Sequence, residues 1–168
     1  MMRTHTCGEL RNKDIGKKAR LCGWVDTIRQ HGKLNFIDLR DRYGKTQIVY
    51  IGKLDVKPEY VICASGQVNG RKKGTENKNL DTGEIEVFAE SLEIISKSKT
   101  PPIEISDEKV AGEDARMKYR YLDLRRPIMQ KNLMFRNKVI QAIREYYFNN
   151  SFIEIETPLL VKPTPEGA

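Results

Sequence analysis

Five stretches of alternating apolar and polar residues within the first hundred positions constrain the fold most. We interpret each stretch as a β-strand in which alternate side chains face the core, the two-residue period of a strand with one buried face. The stretches cover residues 21–26, 34–39, 46–51, 61–68 and 85–89. Turn sequences precede the third and fifth stretches, at residues 41–44 and 81–83. Five short strands in one small segment predict a closed β-barrel over residues 1–100.

The predicted barrel is also the basic part of the chain. Residues 1–100 hold 19 Lys and Arg against 13 Asp and Glu, whereas residues 101–168 hold 11 against 10. A basic excess on one domain is typical of proteins that bind a phosphate backbone. Strand number and charge together favour the oligonucleotide-binding (OB) fold. A basic face that only keeps the domain soluble is the alternative.

Composition excludes other function classes. No apolar run approaches the length of a membrane span, and the first residues have no secretion-signal core. Cys7, Cys22 and Cys63 are widely spaced, and the chain has only two histidines. We therefore expect neither a zinc site nor a disulfide framework, and we expect a cytoplasmic location.

A different period begins after residue 100. Two prolines and an acidic stretch predict a linker over residues 101–115. The Arg-, Tyr- and Asp-rich segment 113–127 is interpreted as a charge-paired stretch that docks the linker to the next helix. Apolar residues three and four apart predict that helix over Pro127–Asn149, and a short strand should follow at residues 152–155. So broad an apolar face needs a partner surface, so we expect an incomplete α+β domain.

Four polar or aromatic residues of the predicted barrel domain suit RNA. Phe36 alternates away from the more apolar face of its strand, so its ring is expected to face outward and stack on an unpaired base; a core position is the alternative. Gln47 offers a donor and an acceptor to a base edge, and Glu86 can accept from guanine. Arg71 begins a basic loop that suits phosphates, although a solvated loop fits equally well.

Five motifs, taken in order, resemble the N-terminal part of the bacterial-type aspartyl-tRNA synthetases, which are class II aminoacyl-tRNA synthetases. The motifs are Cys22-Gly-Trp-Val, Phe36-Ile-Asp-Leu-Arg-Asp-Arg, Thr82-Gly-Glu-Ile-Glu-Val, Tyr119-Arg-Tyr-Leu-Asp-Leu-Arg-Arg-Pro and Thr164-Pro-Glu-Gly-Ala. The similarity runs nearly from end to end.

The resemblance implies an OB-fold anticodon-binding domain over residues 1–100, a linker over 101–115, and the start of a class II catalytic domain with its motif 1 over 116–168. Glu166 matches a residue that contacts bound aspartate, and Pro158 matches the proline at the dimer interface. The residues that match tRNA contacts are Arg29, His31, Phe36, Gln47, Arg71 and Glu86.

The parent enzyme implied by the resemblance is a homodimer that activates aspartate with ATP and Mg²⁺ and then charges tRNA(Asp). A histidine at position 31 resembles the members of the family that also charge tRNA(Asn); an ordinary exposed loop histidine is the alternative. We expect no catalytic residue, cofactor or metal site in this chain, and no activity from it alone. A stand-alone module that binds tRNA or single-stranded nucleic acid is one alternative, and part of an asparaginyl- or lysyl-tRNA synthetase is the other.

Four positions depart from the family pattern. Thr27 and Ile28 stand where the family has arginines, and Asn69 replaces another arginine. Ser151 occupies the place of a motif 1 glycine. The first three departures remove cations that would reach phosphates or bases, so we expect weaker tRNA binding without a change of fold.

Overall fold

The computed structural model describes residues 2–160 and 162, and the chain divides into two compact units, Met1–Pro102 and Ile103–Ala168. Five strands form the first unit: β1 (Lys18–His31), β2 (Leu34–Asp41), β3 (Gly44–Ile51), β4 (Val61–Gly70) and β5 (Ile85–Ser96). They close into a barrel in the order β1-β2-β3-β5-β4, and only the β3–β5 pairing is parallel. This confirms the five-stranded OB-fold barrel predicted from the sequence.

The barrel closes because β1 is long enough to serve two neighbours. Its first half, from Lys18 to Trp24, pairs with β4, and its second half, up to His31, pairs with β2. The apolar period alone ends at residue 26, so the sequence underestimates this strand. Inward-facing side chains fill the centre, among them Leu21, Val25, Ile37, Leu39, Ile48, Ile62, Val68 and Val87, all completely buried.

The cysteines correct one expectation. Cys22 on β1 and Cys63 on β4 are register partners and form a disulfide with their Cα atoms 4.1 Å apart. The expectation of no disulfide is therefore wrong, because a sequence separation of 41 residues does not show that antiparallel pairing places the two side by side. Cys7 is buried and free, and burial raises the pKa of its thiol well above the usual range.

In the described part of the second unit the regular structure consists of three helices: α1 (Glu113–Lys118), α2 (Arg120–Asp123) and α3 (Pro127–Asn149). The predicted helix has the bounds that the sequence indicates, and Pro127 occupies its first turn, where a missing N–H costs nothing. The helix α1 crosses the predicted boundary between linker and catalytic segment. None of the described helices is long and apolar enough to cross a membrane.

A buried carboxylate organises the segment before α3. Asp123 is completely buried and lies 3.0 Å from Nε of Arg126, and it also accepts a hydrogen bond from Arg120. Asp107 lies in the preceding segment, 3.7 Å from Nη1 of Arg126, and accepts a hydrogen bond from the Ile128 backbone N–H at 2.9 Å. These contacts confirm a charge-paired stretch that ties the linker to the start of α3.

The chain after α3 folds back without forming a strand. The Phe152 N–H donates to the Tyr147 carbonyl at 3.0 Å, and their rings meet edge to face with centroids 5.3 Å apart. No described residue pairs with residues 152–155 as a neighbouring strand. The predicted strand is therefore wrong for the described part of the chain, since an extended segment becomes a strand only when a neighbour accepts its hydrogen bonds.

Candidate nucleic-acid interface

Side chains from several strands meet on the outer surface of the barrel. Arg29 on β1 is the register partner of Phe36 on β2, and Asp38 on β2 is the partner of Gln47 on β3. The parallel pairing of β3 with β5 brings Glu86 beside them, and its carboxylate accepts a hydrogen bond from the Gln47 amide at 2.8 Å. With Arg71, which follows β4, these residues form a surface that we call the polar face.

Phe36 occupies the outer side of β2. Its ring is half-buried, whereas its neighbours Ile37 and Leu39 are completely buried in the barrel core. The predicted outward orientation is thus confirmed. A partly exposed ring held on a strand offers a base a stacking surface without first having to be ordered.

Hydrogen bonds fix the polar residues of this face. Arg29 Nη2 lies 3.2 Å from Asp38 Oδ1 and donates at 3.2 Å to Oε1 of Gln47. The Thr27 hydroxyl donates to Asp38 at 2.6 Å. Gln47, only 6% exposed, therefore accepts from Arg29 and donates to Glu86, which orients its amide. A base edge would meet a preset pattern of donors and acceptors.

Arg71 carries an unused donor. Its Nε donates to the Ile85 carbonyl at 3.1 Å, while Nη2 is buried and has no hydrogen-bond partner among the described residues. Burial lowers the pKa of Arg71. The carboxylates of Glu86 and Asp38 raise that pKa, and the positive charge of Arg29 lowers it. The guanidinium stays charged at neutral pH. A buried charged donor without an acceptor destabilises the unbound protein. A ligand oxygen that accepts a hydrogen bond from Nη2 would remove this penalty and so favour binding.

The remaining predicted site residues lie elsewhere. His31 ends β1 two residues beyond Arg29 and is exposed, next to Gly32 with its left-handed φ of 61°. It has no part in the hydrogen-bonded group. Pro158 is exposed in the second unit, and Glu166 lies outside the described residues.

Sequence reasoning missed Asp38. This carboxylate connects Thr27 and Arg29 on β1 with the rest of the polar face. The signal that identifies it is the register: Asp38 lies opposite Thr27 on one neighbouring strand and opposite Gln47 on the other. The Thr27 hydroxyl thus supports Asp38 by a hydrogen bond.

Two family models match separate parts of the chain. Residues 19–95 match the OB-fold nucleic acid binding domain, and residues 112–168 match the class II tRNA synthetases (D, K and N). The first match covers the barrel strands and the polar face, and the second begins just before α1.

Relatives and solved structures give the same result. The chain is 51% identical to an aspartate–tRNA(Asp/Asn) ligase of Caldanaerobacter subterraneus, over 100% of this chain and 30% of that protein. It therefore spans about a third of the length of the curated relatives it matches. Asparaginyl-tRNA synthetase from Pyrococcus horikoshii superposes with a TM-score of 0.81 and 28% identity, over 96% of this chain and 39% of that one. Aspartyl-tRNA synthetase from Entamoeba histolytica has a TM-score of 0.83 at 18% identity, over 95% and 40%, which supports the fold alone.

Proposed function

Because the chain joins an OB-fold nucleic acid binding domain to a segment of the class II tRNA synthetases (D, K and N), we propose that its barrel binds the anticodon of tRNA(Asp) within a longer aspartate–tRNA ligase. The observation that carries this proposal is the polar face: an outward Phe36 ring beside the hydrogen-bonded pair of Gln47 and Glu86. Stacking holds an unpaired base, and the adjacent amide and carboxylate distinguish its edges.

Each residue has a role in this proposal. Phe36 stacks on the middle anticodon base, and Gln47 is placed to bond its edge. Glu86 accepts hydrogen bonds from the guanine at the first position, because a carboxylate matches the N–H donors of that base. The unused Nη2 of Arg71 donates to a base carbonyl or a phosphate oxygen, and Arg29 holds Gln47 in place.

We further propose that tRNA(Asn) is a second partner. The anticodons GUC and GUU differ only at the third base, and exposed His31 at the end of β1 is the residue proposed to meet it. A neutral imidazole offers either a donor or an acceptor and so need not reject either pyrimidine. The curated relative bears the name aspartate–tRNA(Asp/Asn) ligase, which supports this choice.

The longer enzyme is proposed to activate aspartate with ATP and Mg²⁺ in the cytoplasm, with Glu166 contacting aspartate and Pro158 at a dimer interface. The family match of residues 112–168 and the names of the relatives support the ligase activity. The roles of Glu166 and Pro158 follow from the motif resemblance alone. The barrel can be tested without them.

Titration of a labelled GUC anticodon stem-loop tests the proposal. Phe36→Ala should weaken binding by roughly 1–3 kcal/mol, the value of one base–aromatic stack. Phe135→Ala is the matched control, since Phe135 is a phenylalanine of the second unit and is 69% exposed; it should change nothing. Equal binding by both variants and the unchanged protein would overturn the anticodon role of Phe36.

The same titration with a GUU stem-loop tests the second partner. The two RNAs should differ by less than about 1 kcal/mol, below the usual cost of one misread base pair. A tenfold preference for GUC would restrict the proposal to tRNA(Asp).

A further inference from the structure

The turn between β2 and β3 carries a stacked group of charged and aromatic side chains outside the polar face. Tyr43 is 50% exposed, and the guanidinium of Arg42 lies 4.6 Å from the centre of its ring. Arg3 approaches the same ring at 5.7 Å, and Arg42 also donates a hydrogen bond to the Tyr43 hydroxyl. A cation over an aromatic ring is attracted to it and loses much of its freedom before any ligand arrives.

One of the two arginines is already neutralised. Nη1 of Arg3 lies 3.0 Å from Oδ2 of Asp41, whose side chain is 5% exposed. That carboxylate also accepts hydrogen bonds from the backbone N–H groups of Cys7, Tyr43 and Gly44, at 3.0, 2.8 and 3.2 Å. Asp41 is thus fully occupied in holding the turn to the N-terminal segment.

Arg42 keeps its charge uncompensated. Within residues 2–160 and 162, no carboxylate oxygen lies within ion-pair distance of its guanidinium. The next cations along the same outer surface are paired: Arg40 with Asp26 at 2.9 Å and with Glu59, and Lys45 with Asp26. Arg42 is therefore an exposed, pre-ordered cation at the end of a row of neutralised charges.

The turn continues the surface proposed to bind RNA. Tyr43 lies four residues before Gln47 along the chain into β3, or about 13 Å at the rise of an extended strand. An RNA strand that leaves the polar face along β3 reaches this turn within a few nucleotides. A planar guanidinium with several N–H donors matches the paired oxygens of a phosphate.

We propose that Arg42, positioned by Tyr43, binds a backbone phosphate of the RNA outside the anticodon bases. The inference rests on the proposed function, because it assumes that the same RNA occupies the polar face. It adds a contact that carries no sequence information.

The salt dependence of binding to the GUC stem-loop tests this contact. Loss of one phosphate contact lowers the slope of log affinity against log salt by roughly 0.7–0.9. Arg42→Gln should show that decrease, together with a roughly three- to tenfold weaker affinity at low salt. Arg42→Lys should keep the slope, because it keeps the charge. Lys99→Gln is the matched control, since it removes one exposed charge beyond the end of β5, and it should leave both values unchanged.

The outcomes separate the two proposals. If Arg42→Gln behaves like Lys99→Gln while Phe36→Ala weakens binding, the phosphate contact is wrong and the anticodon role of the barrel stands. If Arg42→Gln weakens affinity with no change of slope, Arg42 supports the turn and does not bind a phosphate, which also overturns the inference. Failure of the unchanged protein to bind the stem-loop would remove the proposed function and this contact together.

Discussion

The two units differ in whether their apolar side chains are buried. In the barrel, β-strand alternation sends one set of side chains into a closed interior, where residues such as Leu39 and Ile48 are completely buried. The helix α3 has an equally clear helical pattern, yet none of its residues is buried, and Phe135 and Phe148 are 69% and 78% exposed. Periodicity predicts the element in both cases. Burial depends on whether the partner surface belongs to the same part of the chain.

The two units should also be stabilised by different interactions. A closed barrel satisfies the hydrogen bonds of every strand and has no free edge. A helix with a long exposed apolar face marks an interaction surface. We therefore expect the first unit to depend on its own core, and the helix of the second unit to depend on charge pairs and local contacts.

A pair of leucine substitutions should give the largest contrast. Leu39→Ala empties a completely buried position and should lower the free energy of unfolding by about 2–5 kcal/mol. Leu133→Ala removes a side chain that is 45% exposed, and alanine is the better helix former, so stability should change by at most about 0.5 kcal/mol. Urea unfolding of both variants measures the contrast, and equal losses would show that α3 is packed as tightly as the barrel.

In the second unit, loss of the buried Asp123 carboxylate should lower the stability most. Asp123→Asn leaves Arg120 and Arg126 without their shared negative charge and should cost about 3 kcal/mol of local stability. Amide hydrogen exchange across residues 113–126 should accelerate, while exchange in the barrel strands stays unchanged. Glu108→Gln, at an exposed acidic position nearby, serves as the control. Unchanged exchange in Asp123→Asn would mean that the charge cluster does not hold this segment.

A small stabilising effect is expected at the end of α3. Ser151 has a left-handed φ of 65°, and its N–H donates to the Phe148 carbonyl at 3.0 Å, the arrangement that glycine favours after a helix. Ser151→Gly should stabilise the helix end by about 0.5–1 kcal/mol. Asn150→Gly, at a φ of −99°, should give no gain. Thermal unfolding followed by circular dichroism compares the two, and a loss of stability in Ser151→Gly would contradict the backbone argument.

Much of the fold was predictable because each element follows from a local pattern. The five strands came from alternation, and the helix came from apolar spacing and Pro127. The disulfide between Cys22 and Cys63 was not predictable, since only the register of β1 against β4 brings the two together. The failure of residues 152–155 to form a strand has the same origin, because pairing depends on a neighbour that the pattern does not supply.

The candidate site was predictable in part. Phe36, Gln47, Arg71 and Glu86 were identified from residue type and family resemblance, and the structure brings them together with Arg29. Asp38 was missed because an acidic residue on a basic barrel has no distinctive sequence signal. Its role appears only when the strand register places it between Arg29 and Gln47.

The most direct test is an NMR titration of the isotope-labelled chain with the GUC anticodon stem-loop. Binding should shift the amide signals of residues on the polar face, above all Phe36, Gln47, Arg71 and Glu86, and leave the signals of α3 in place. Shifts confined to α3, or no shift on the polar face at RNA concentrations that saturate the protein, would contradict the assignment of anticodon binding to the barrel.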